Sequence, residues 1–130
     1  MSIMLRITDK HLGAAEIAAP DLLLPLMTVS AREILRLRVE VEVARYNEAR
    51  GAAHLLIQPS LRETEPNGAG KALFRALLLE PQVAMAVEAV EKRRLIMLLD
   101  GRQVTDLDEK FLLTPNSEAR FIKLVPLVGG

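Results

Sequence analysis

Hydrophobic and polar residues alternate near the start of the chain, in IMLRIT (Ile3 to Thr8). A period of two is typical of a strand with one buried face, so we predict a first strand here. The apolar stretch LLLPLMTV (Leu22 to Val29) is the second strand candidate. Its Pro25 has no N–H to donate, which predicts an edge strand or a bulge. Residues 11–21 are rich in small side chains, and we expect them to form a loop between these strands.

The segment SAREILRLRVEVEVARYNEARG (Ser30 to Gly51) carries two competing periods. Its valines alternate with charged residues, as they would in a strand. Ser30 and Glu33 instead have the spacing of a helical capping box, and Gly51 stands where a helix often ends. A strand of this length would be unusual. We therefore interpret the segment as one long helix.

In such a helix, Arg36 and Arg38 each have an acidic residue four positions later, at Glu40 and Glu42. This spacing places opposite charges side by side. The apolar residues form two neighbouring stripes, so more than one neighbouring element is needed to cover them. The first stripe consists of Ile34, Leu37, Val41 and Ala44, and the second of Leu35, Val39 and Tyr46.

In the middle of the chain, residues 52–92, a short strand candidate begins at His54, and we expect turns and helices after it. A turn at Pro66-Asn67-Gly68 precedes a helix-prone stretch from Lys71 to Leu79, and a second helix begins at Pro81. The first stretch is more apolar than an exposed helix, so it either covers the long helix or forms a partner surface. We favour the cover. The residues concerned are Leu73, Phe74, Leu77, Leu78 and Leu79.

The last third of the chain predicts strands separated by turns. Leu95 to Gly101 is a continuous apolar run that ends in Asp-Gly, which is typical of a buried strand and a tight hairpin turn. After a polar turn at residues 114–119, a final strand is expected from Arg120 to Leu127. The order of the elements predicts an α+β fold, in which a mixed sheet has a helix packed across one face.

Length and composition favour a single globular domain, since half of the 130 residues are hydrophobic. Seventeen basic and seventeen acidic residues cancel, and no basic stripe with interleaved aromatic residues points to nucleic acid. The longest uncharged run, Leu22 to Ala31, is too short to cross a bilayer, and the first residues are too charged for a signal peptide. The absence of cysteine excludes disulfides and thiol nucleophiles. We expect a cytoplasmic protein that binds neither nucleic acid nor membrane.

The sequence as given ends in FIKLVPLVGG (Phe121 to Gly130). Together with the Asp-Gly turn before it and TVSAREIL (Thr28 to Leu35), this ending resembles ubiquitin-like β-grasp proteins. It is most similar to the bacterial sulfur carriers of molybdopterin and thiamine synthesis, and it also resembles bacterial ubiquitin-like modifiers. The resemblance covers roughly residues 1–48 and 93–130. It implies one β-grasp domain over residues 1–130, with one long helix, a helical insert at 52–92 and an exposed tail at 126–130.

In these families the chemistry takes place at the last glycine. The resemblance implies that the Gly130 carboxylate is adenylated by an E1-like enzyme, which uses ATP and magnesium. It also implies that this enzyme recognises the preceding residues, Pro126, Leu127, Val128 and Gly129. Two glycines without Cβ atoms suit a tail that enters a narrow tunnel. The chain itself is expected to bind no cofactor or metal and to catalyse no reaction.

Two fates of the activated carboxylate stay open. A modifier is conjugated to a target amine, with an E2-like enzyme and an isopeptidase as further partners, whereas a sulfur carrier delivers sulfide from a thiocarboxylate to a sulfur acceptor. The size of the chain favours the modifier, because sulfur carriers are usually nearer the minimal fold. A third alternative, from another class, is a non-covalent interaction module with an inert tail and a partner-binding insert.

Other candidate motifs are weaker. NGAGKA (Asn67 to Ala72) hints at a phosphate-binding loop, but Glu65 stands in place of the first glycine and Ala72 in place of the magnesium-binding Ser or Thr. A loop that leads into a helix is the simpler interpretation. His11 and His54 match no metal-ligand spacing, and we expect them at or near the surface.

The remaining polar candidates are expected to be structural. Asp106, Asp108 and Glu109 lack the spacing of a calcium loop and predict an exposed turn. Ser30 and Ser117 lack an accompanying histidine motif for nucleophilic work. The lysines are expected to be solvated charges rather than acceptors for the carboxylate of another copy. They are Lys10, Lys71, Lys92, Lys110 and Lys123.

Overall fold

Where the structure describes the chain, a five-stranded mixed sheet and two helices make up an α+β fold. In this computed structural model the described residues are 2–49, 55–57, 66–67, 71–72, 76–125 and 127. The helices are α1 (Ala31–Glu48) and α2 (Leu79–Glu91). The strands are β1 (Ile3–His11), β2 (Ile17–Leu24), β3 (Thr28–Ser30), β4 (Pro66–Asn67), β5 (Lys71–Ala72), β6 (Leu95–Leu99), β7 (Arg102–Gln103), β8 (Lys110–Leu112) and β9 (Glu118–Lys123).

The main sheet has the strand order β2-β1-β9-β6-β7. The last strand, β9, lies in the middle, parallel to β1 and antiparallel to β6. Two short antiparallel ladders, β3–β8 and β4–β5, form outside this sheet. A mixed sheet in which the first and last strands are central neighbours, combined with the helix that follows the N-terminal strands, is compatible with a β-grasp arrangement.

The N-terminal hairpin is longer than the sequence predicts. The first strand is confirmed, but β1 continues to His11 and β2 already begins at Ile17, so the loop expected over residues 11–21 is wrong for most of its length. Only a short turn remains, in which Gly13 has a φ of +82°. Pairing with β1 overrides the weak strand propensity of the small residues. Pro25 follows directly after the edge strand β2 and separates it from β3.

The long helix is confirmed as α1, and its capping box forms as predicted. The Ser30 hydroxyl accepts the Glu33 N–H at 3.1 Å, and the Glu33 carboxylate accepts the Ser30 N–H at 3.2 Å. These reciprocal bonds satisfy two donors that a helix start otherwise leaves open. The helix ends at Glu48 with Ala49 as its cap, and Gly51 lies outside the described residues.

Residues 52–92 contain less helix than predicted, as far as the structure describes them. The helix expected from Lys71 to Leu79 is wrong, because β5 pairs with β4 and residues 76–78 belong to no helix. We expected a loop and the start of a helix from Asn67 to Ala72. In the structure, Asn67, Lys71 and Ala72 instead belong to the antiparallel β4–β5 ladder. α2 begins at Leu79, so Pro81 occupies the first turn, where its missing N–H breaks no helical bond.

α2 packs on α1, and the two helices cover the inner face of the main sheet. Asn47 fixes the start of α2: its side-chain amide accepts the Leu77 N–H at 2.7 Å and donates to the Leu77 carbonyl at 3.1 Å. Leu77 is buried in the core, whereas Leu78 is exposed. Leu77 is therefore buried next to Asn47 of α1, which is compatible with the expected cover, and Leu73 and Phe74 lie outside the described residues.

The predicted hairpin turn between β6 and β7 is confirmed. Asp100 and Gly101 have φ angles of +49° and +80°. Two positive φ angles match the right-handed twist of the flanking strands. The Asp100 carboxylate also accepts the Ser117 hydroxyl at 3.0 Å and the Glu118 N–H at 2.9 Å. The turn thus fixes the start of β9 as well as the end of β6.

Candidate functional site at the root of the C-terminal segment

Of the tail residues that the resemblance implies as functional, the structure describes Leu127. Pro126, Val128, Gly129 and Gly130 lie outside the described residues. The side chain of Leu127 is 7% exposed and belongs to the hydrophobic core. This position differs from the expectation of an exposed tail that begins at residue 126, because a leucine side chain is more stable in the core than in water.

The residues just before the tail are held from both sides. β9 pairs with β1 on one edge and with β6 on the other. Beyond the ladder, the Leu12 N–H donates to the Lys123 carbonyl and the Leu124 N–H donates to the Arg94 carbonyl, both at 3.0 Å. We call Lys123 to Val125 the root of the C-terminal segment. Hydrogen bonds to two different elements therefore fix the path of the chain up to Leu124.

Four charged side chains are buried beside this root, between the sheet and α1. Asp9, Arg38, Glu42 and Lys123 are only 1%, 2%, 6% and 3% exposed. We call these four residues the buried charge cluster. Asp9 continues the inward-facing positions of β1, and Lys123 follows Phe121 at the same period of two. Arg38 and Glu42 are four residues apart, so they share one face of α1.

Arg38 is the centre of the buried charge cluster. Its guanidinium donates to both carboxylate oxygens of Asp9 and, at 3.1 Å, to Glu42. It also lies 4.6 Å from the centre of the Phe121 ring, which favours a cation at this distance. Burial by itself lowers the pKa of Arg38, but the hydrogen bond with Asp9 and the charge of Glu42 outweigh it, and the pKa is raised. Arg38 therefore remains charged inside the core.

Lys123 extends the cluster from the sheet to the middle of the chain. Its ammonium group donates to the Leu55 carbonyl at 3.1 Å. Burial and the nearby charge of Arg38 lower the pKa of Lys123, while Asp9 and Glu42 oppose this shift. Lys123 was expected to be solvated, and that prediction is wrong. The alternation that places Phe121 in the core also turns Lys123 inward.

Leu55, Leu56 and Ile57 form a short buried segment. The Leu55 carbonyl accepts from Lys123, and the Leu56 N–H donates to Glu42 at 3.0 Å. The Ile57 carbonyl accepts from the side-chain amide of Gln82 at 3.3 Å. Buried backbone groups need such partners. Side chains of β9, α1 and α2 therefore supply partners for the backbone of this segment.

The buried charge cluster is suited to positioning the chain rather than to reacting with a substrate. Two positive and two negative side chains balance each other, and all four are nearly inaccessible to solvent. Separation of one member from its partners would leave a buried charge uncompensated, which is costly. Within the described ranges, no three His, Asp or Glu side chains are grouped so that they could hold a metal ion.

A polar groove of about 230 Å³ lies between the end of α2, the start of β6 and residues 103–108. Arg32 and Asp108 form an ion pair at 2.9 Å across it, and this hydrogen bond lowers the pKa of the Asp108 carboxyl. Asp106 accepts the Asp108 N–H, whereas Glu109 pairs with Arg102 at 2.7 Å. The three acidic residues thus have different partners, in agreement with the predicted turn.

The other singled-out polar residues have structural contacts. His11 is exposed at the end of β1, and His54 lies outside the described residues. Ser30 caps α1, and Ser117 accepts the Thr114 N–H at 2.9 Å while it donates to Asp100.

Two of the other lysines form exposed ion pairs. Lys92 pairs with Glu88 at 2.6 Å, and Lys110 pairs with Glu33 at 3.4 Å. Lys10 is half-buried, and the side chain of Lys71 lies outside the described structure.

In the described part of the chain, neither helix is long and apolar enough to span a bilayer. A scan against models of protein families, a search of curated proteins and a search of solved structures find no match. What the protein does is therefore inferred from its own residues and geometry.

Proposed function

We propose that this protein is a ubiquitin-like modifier of the β-grasp type, with residues 52–92 as an insert. In this proposal the Gly130 carboxylate attacks the α-phosphorus of ATP in an E1-like partner and pyrophosphate leaves. The acyl group then passes to a target lysine, whose amine loses a proton as AMP, or an intermediate enzyme thiol, departs. ATP and magnesium belong to the partner, and this chain supplies the acyl group.

The observation that carries the proposal is the position in the sheet of β9, the strand that precedes the Gly-Gly ending in the sequence. β9 is the central strand, and hydrogen bonds from Leu12 and to Arg94 hold its end. A partner enzyme can align the residues that follow the root, here called the arm, more readily when a rigid body fixes where the arm begins, because less freedom is lost on binding.

The burial of Leu127 defines how the arm would be used. A partner that holds the Leu127 side chain must first withdraw it from the core, at a cost of about 1.5–3 kcal/mol. We therefore expect Val128, Gly129 and Gly130 to be engaged before Leu127. Release of Leu127 would lengthen the arm only once partner contacts compensate for the lost burial.

The test is mass spectrometry of an N-terminally tagged chain from its native cells, washed under denaturing conditions. Trypsin cuts after Lys123, and no lysine or arginine lies between it and Gly130, so conjugation through Gly130 leaves Leu124 to Gly130 on the target lysine. A variant without Gly130 is the matched control. We expect this remnant on lysines of other proteins with the wild type and none with the control.

The alternatives predict different spectra. A sulfur carrier would show sulfur in place of oxygen on the Gly130 carboxylate and no remnant on lysines. An interaction module would show an unmodified end and partners that are the same with and without Gly130. The modifier proposal would be overturned by the spectrum of a sulfur carrier or by the spectrum of an interaction module. It would also be overturned if Gly130 carried no free carboxylate before conjugation.

A further inference from the structure

The segment Leu55 to Ile57 is bonded to three elements at once, and one of them is the strand that leads to the root. Lys123 holds the Leu55 carbonyl through its side chain. The main chain of the same lysine accepts from Leu12, and the next residue donates to Arg94. One residue thus joins the buried segment to the hydrogen bonds that fix the root.

We propose that Lys123 is a positioning residue that couples the insert to the root, so that displacement of Leu55 to Ile57 loosens the end of β9. This coupling goes beyond the proposed function and does not depend on it, because it concerns the path of the chain and not the fate of Gly130.

The physical basis is the cost of a buried ammonium group that loses an acceptor. If the Leu55 carbonyl moves away, the Lys123 ammonium group loses a hydrogen-bond acceptor inside the core, and the side chain must shift toward another acceptor, because an unsatisfied buried donor is costly. This movement shifts the backbone of a residue whose carbonyl accepts from Leu12. The same segment contacts α2 through Gln82, so α2 is the point from which a bound partner could act on the root.

Coupling of this kind is reciprocal. A change at α2 that loosens the root implies that a change at the root loosens the segment near α2 by the same factor. A partner that contacts α2 would therefore alter how readily the C-terminal segment leaves the core, without touching that segment.

The experiment is amide hydrogen exchange of the ¹⁵N-labelled full chain, followed by NMR. Gln82→Leu removes the donor to the Ile57 carbonyl, and Glu80→Gln is the matched control, two residues away on α2, where it weakens the exposed pair with Arg36. We expect Gln82→Leu to speed exchange at Leu124 and Leu12 by roughly three- to tenfold, the effect of one lost hydrogen bond on local opening. Glu80→Gln should leave both rates unchanged.

Two further readings make the result decisive. The Leu113 amide, which donates to Met27 beside β3 and β8, should keep its rate in Gln82→Leu. Adding Gln82→Leu to Lys123→Met should bring no further change at Leu12 or Leu124, because the link is already cut. The coupling would be overturned if Gln82→Leu sped exchange at Leu56 but left the rates at Leu12 and Leu124 unchanged. An increase at Leu113 equal to the increase at Leu12 and Leu124 would also overturn it.

If Gln82→Leu does not fold, the reciprocal measurement decides. Lys123→Met should speed exchange of the Leu56 amide, which donates to Glu42 and not to Lys123. An unchanged Leu56 rate would overturn the proposal.

Discussion

Replacement of Arg38 with methionine would keep an unbranched apolar side chain about as long as the aliphatic part of arginine and remove the charged guanidinium. Both Asp9 and Glu42 accept hydrogen bonds from the Arg38 guanidinium. Without it, two buried carboxylates would share Lys123 as the nearest cation of the buried charge cluster. The methionine lacks the guanidinium that lies over the Phe121 ring, so the change removes some packing as well as the charge, and a double variant is needed to separate the two.

The expected loss follows from the burial of the cluster. Removal of one partner from a buried ion pair costs about 3–5 kcal/mol, mostly because the other charge stays buried without compensation. Arg38 serves two carboxylates, each less than a tenth exposed, so we expect the upper part of this range. That is a large share of the roughly 5–15 kcal/mol that stabilises an ordinary domain.

The assay is urea denaturation monitored by far-UV circular dichroism. The free energies of unfolding are compared between variants whose dependence on urea concentration has the same slope. Arg36→Met is the matched control on the same helix, since Arg36 pairs with Glu80 at the surface. We expect the control to unfold as the wild type does, because solvent already screens that pair. Arg38→Lys keeps the positive charge but cannot make the bidentate hydrogen bonds to Asp9. Its loss in the free energy of unfolding should therefore lie between those of Arg36→Met and Arg38→Met.

A double variant separates the charge from the packing. Asp9→Leu with Arg38→Met leaves Glu42 and Lys123 as one balanced pair, so it should be more stable than Arg38→Met alone by about 2 kcal/mol or more. A double variant that is less stable than the single variant would refute the charge argument. A loss for Arg38→Met no larger than that of Arg36→Met would refute it as well.

Three further predictions concern single positions. Ser30→Ala should lower the free energy of unfolding by about 1 kcal/mol in urea denaturation, because the Glu33 N–H loses its acceptor; no loss would show that the cap is dispensable. Gly101→Ala should lower it by about 1–2 kcal/mol in thermal melts, since open space surrounds the added Cβ and the φ of +80° alone is unfavourable; a larger loss would mean a clash. Burial lowers the pKa of Lys123 in the folded protein, so the unfolded chain binds the proton of this side chain more tightly. Lys123 therefore makes the free energy of unfolding rise with pH, from its folded pKa up to the ordinary lysine value of 10.5. Urea denaturation across that range should show the stability of the wild type rising relative to Lys123→Met, and a constant difference would contradict the shift.

Several elements could be predicted from the sequence because the signal is local. The capping box at Ser30 and Glu33 specified the start of α1, although the valines of the same segment alternate as in a strand. Asp100 and Gly101 specified the hairpin between β6 and β7. In each case, a few neighbouring residues supply the geometry and no distant contact is needed.

The errors occur where pairing with distant residues overrides local preference. Residues 11–21 look like a loop by composition, but β1 offers a partner, and β2 forms from Ile17 onward. Lys71 and Ala72 sit in a helix-prone stretch, yet they pair with Pro66 and Asn67. Propensity is a weak constraint when a strand partner is available.

The buried charge cluster was missed, although the sequence contains a signal for it. Asp9 continues the inward period of β1, and Lys123 follows Phe121 two residues later. Arg38 and Glu42 were predicted as a pair, and the structure confirms the pair. A charge at a position that the period assigns to the core is therefore worth singling out in a sequence of this kind.

The sequence by itself determined the helix start, the tight turn and the alternation of the strands, because these depend on residues within a few positions of each other. Only the tertiary structure decided that β9 lies between β1 and β6, and that Lys123 reaches the Leu55 carbonyl, 68 positions away. The period of a strand tells which side chains face inward. It does not tell which carbonyl or carboxylate they meet there, since that depends on how distant elements pack.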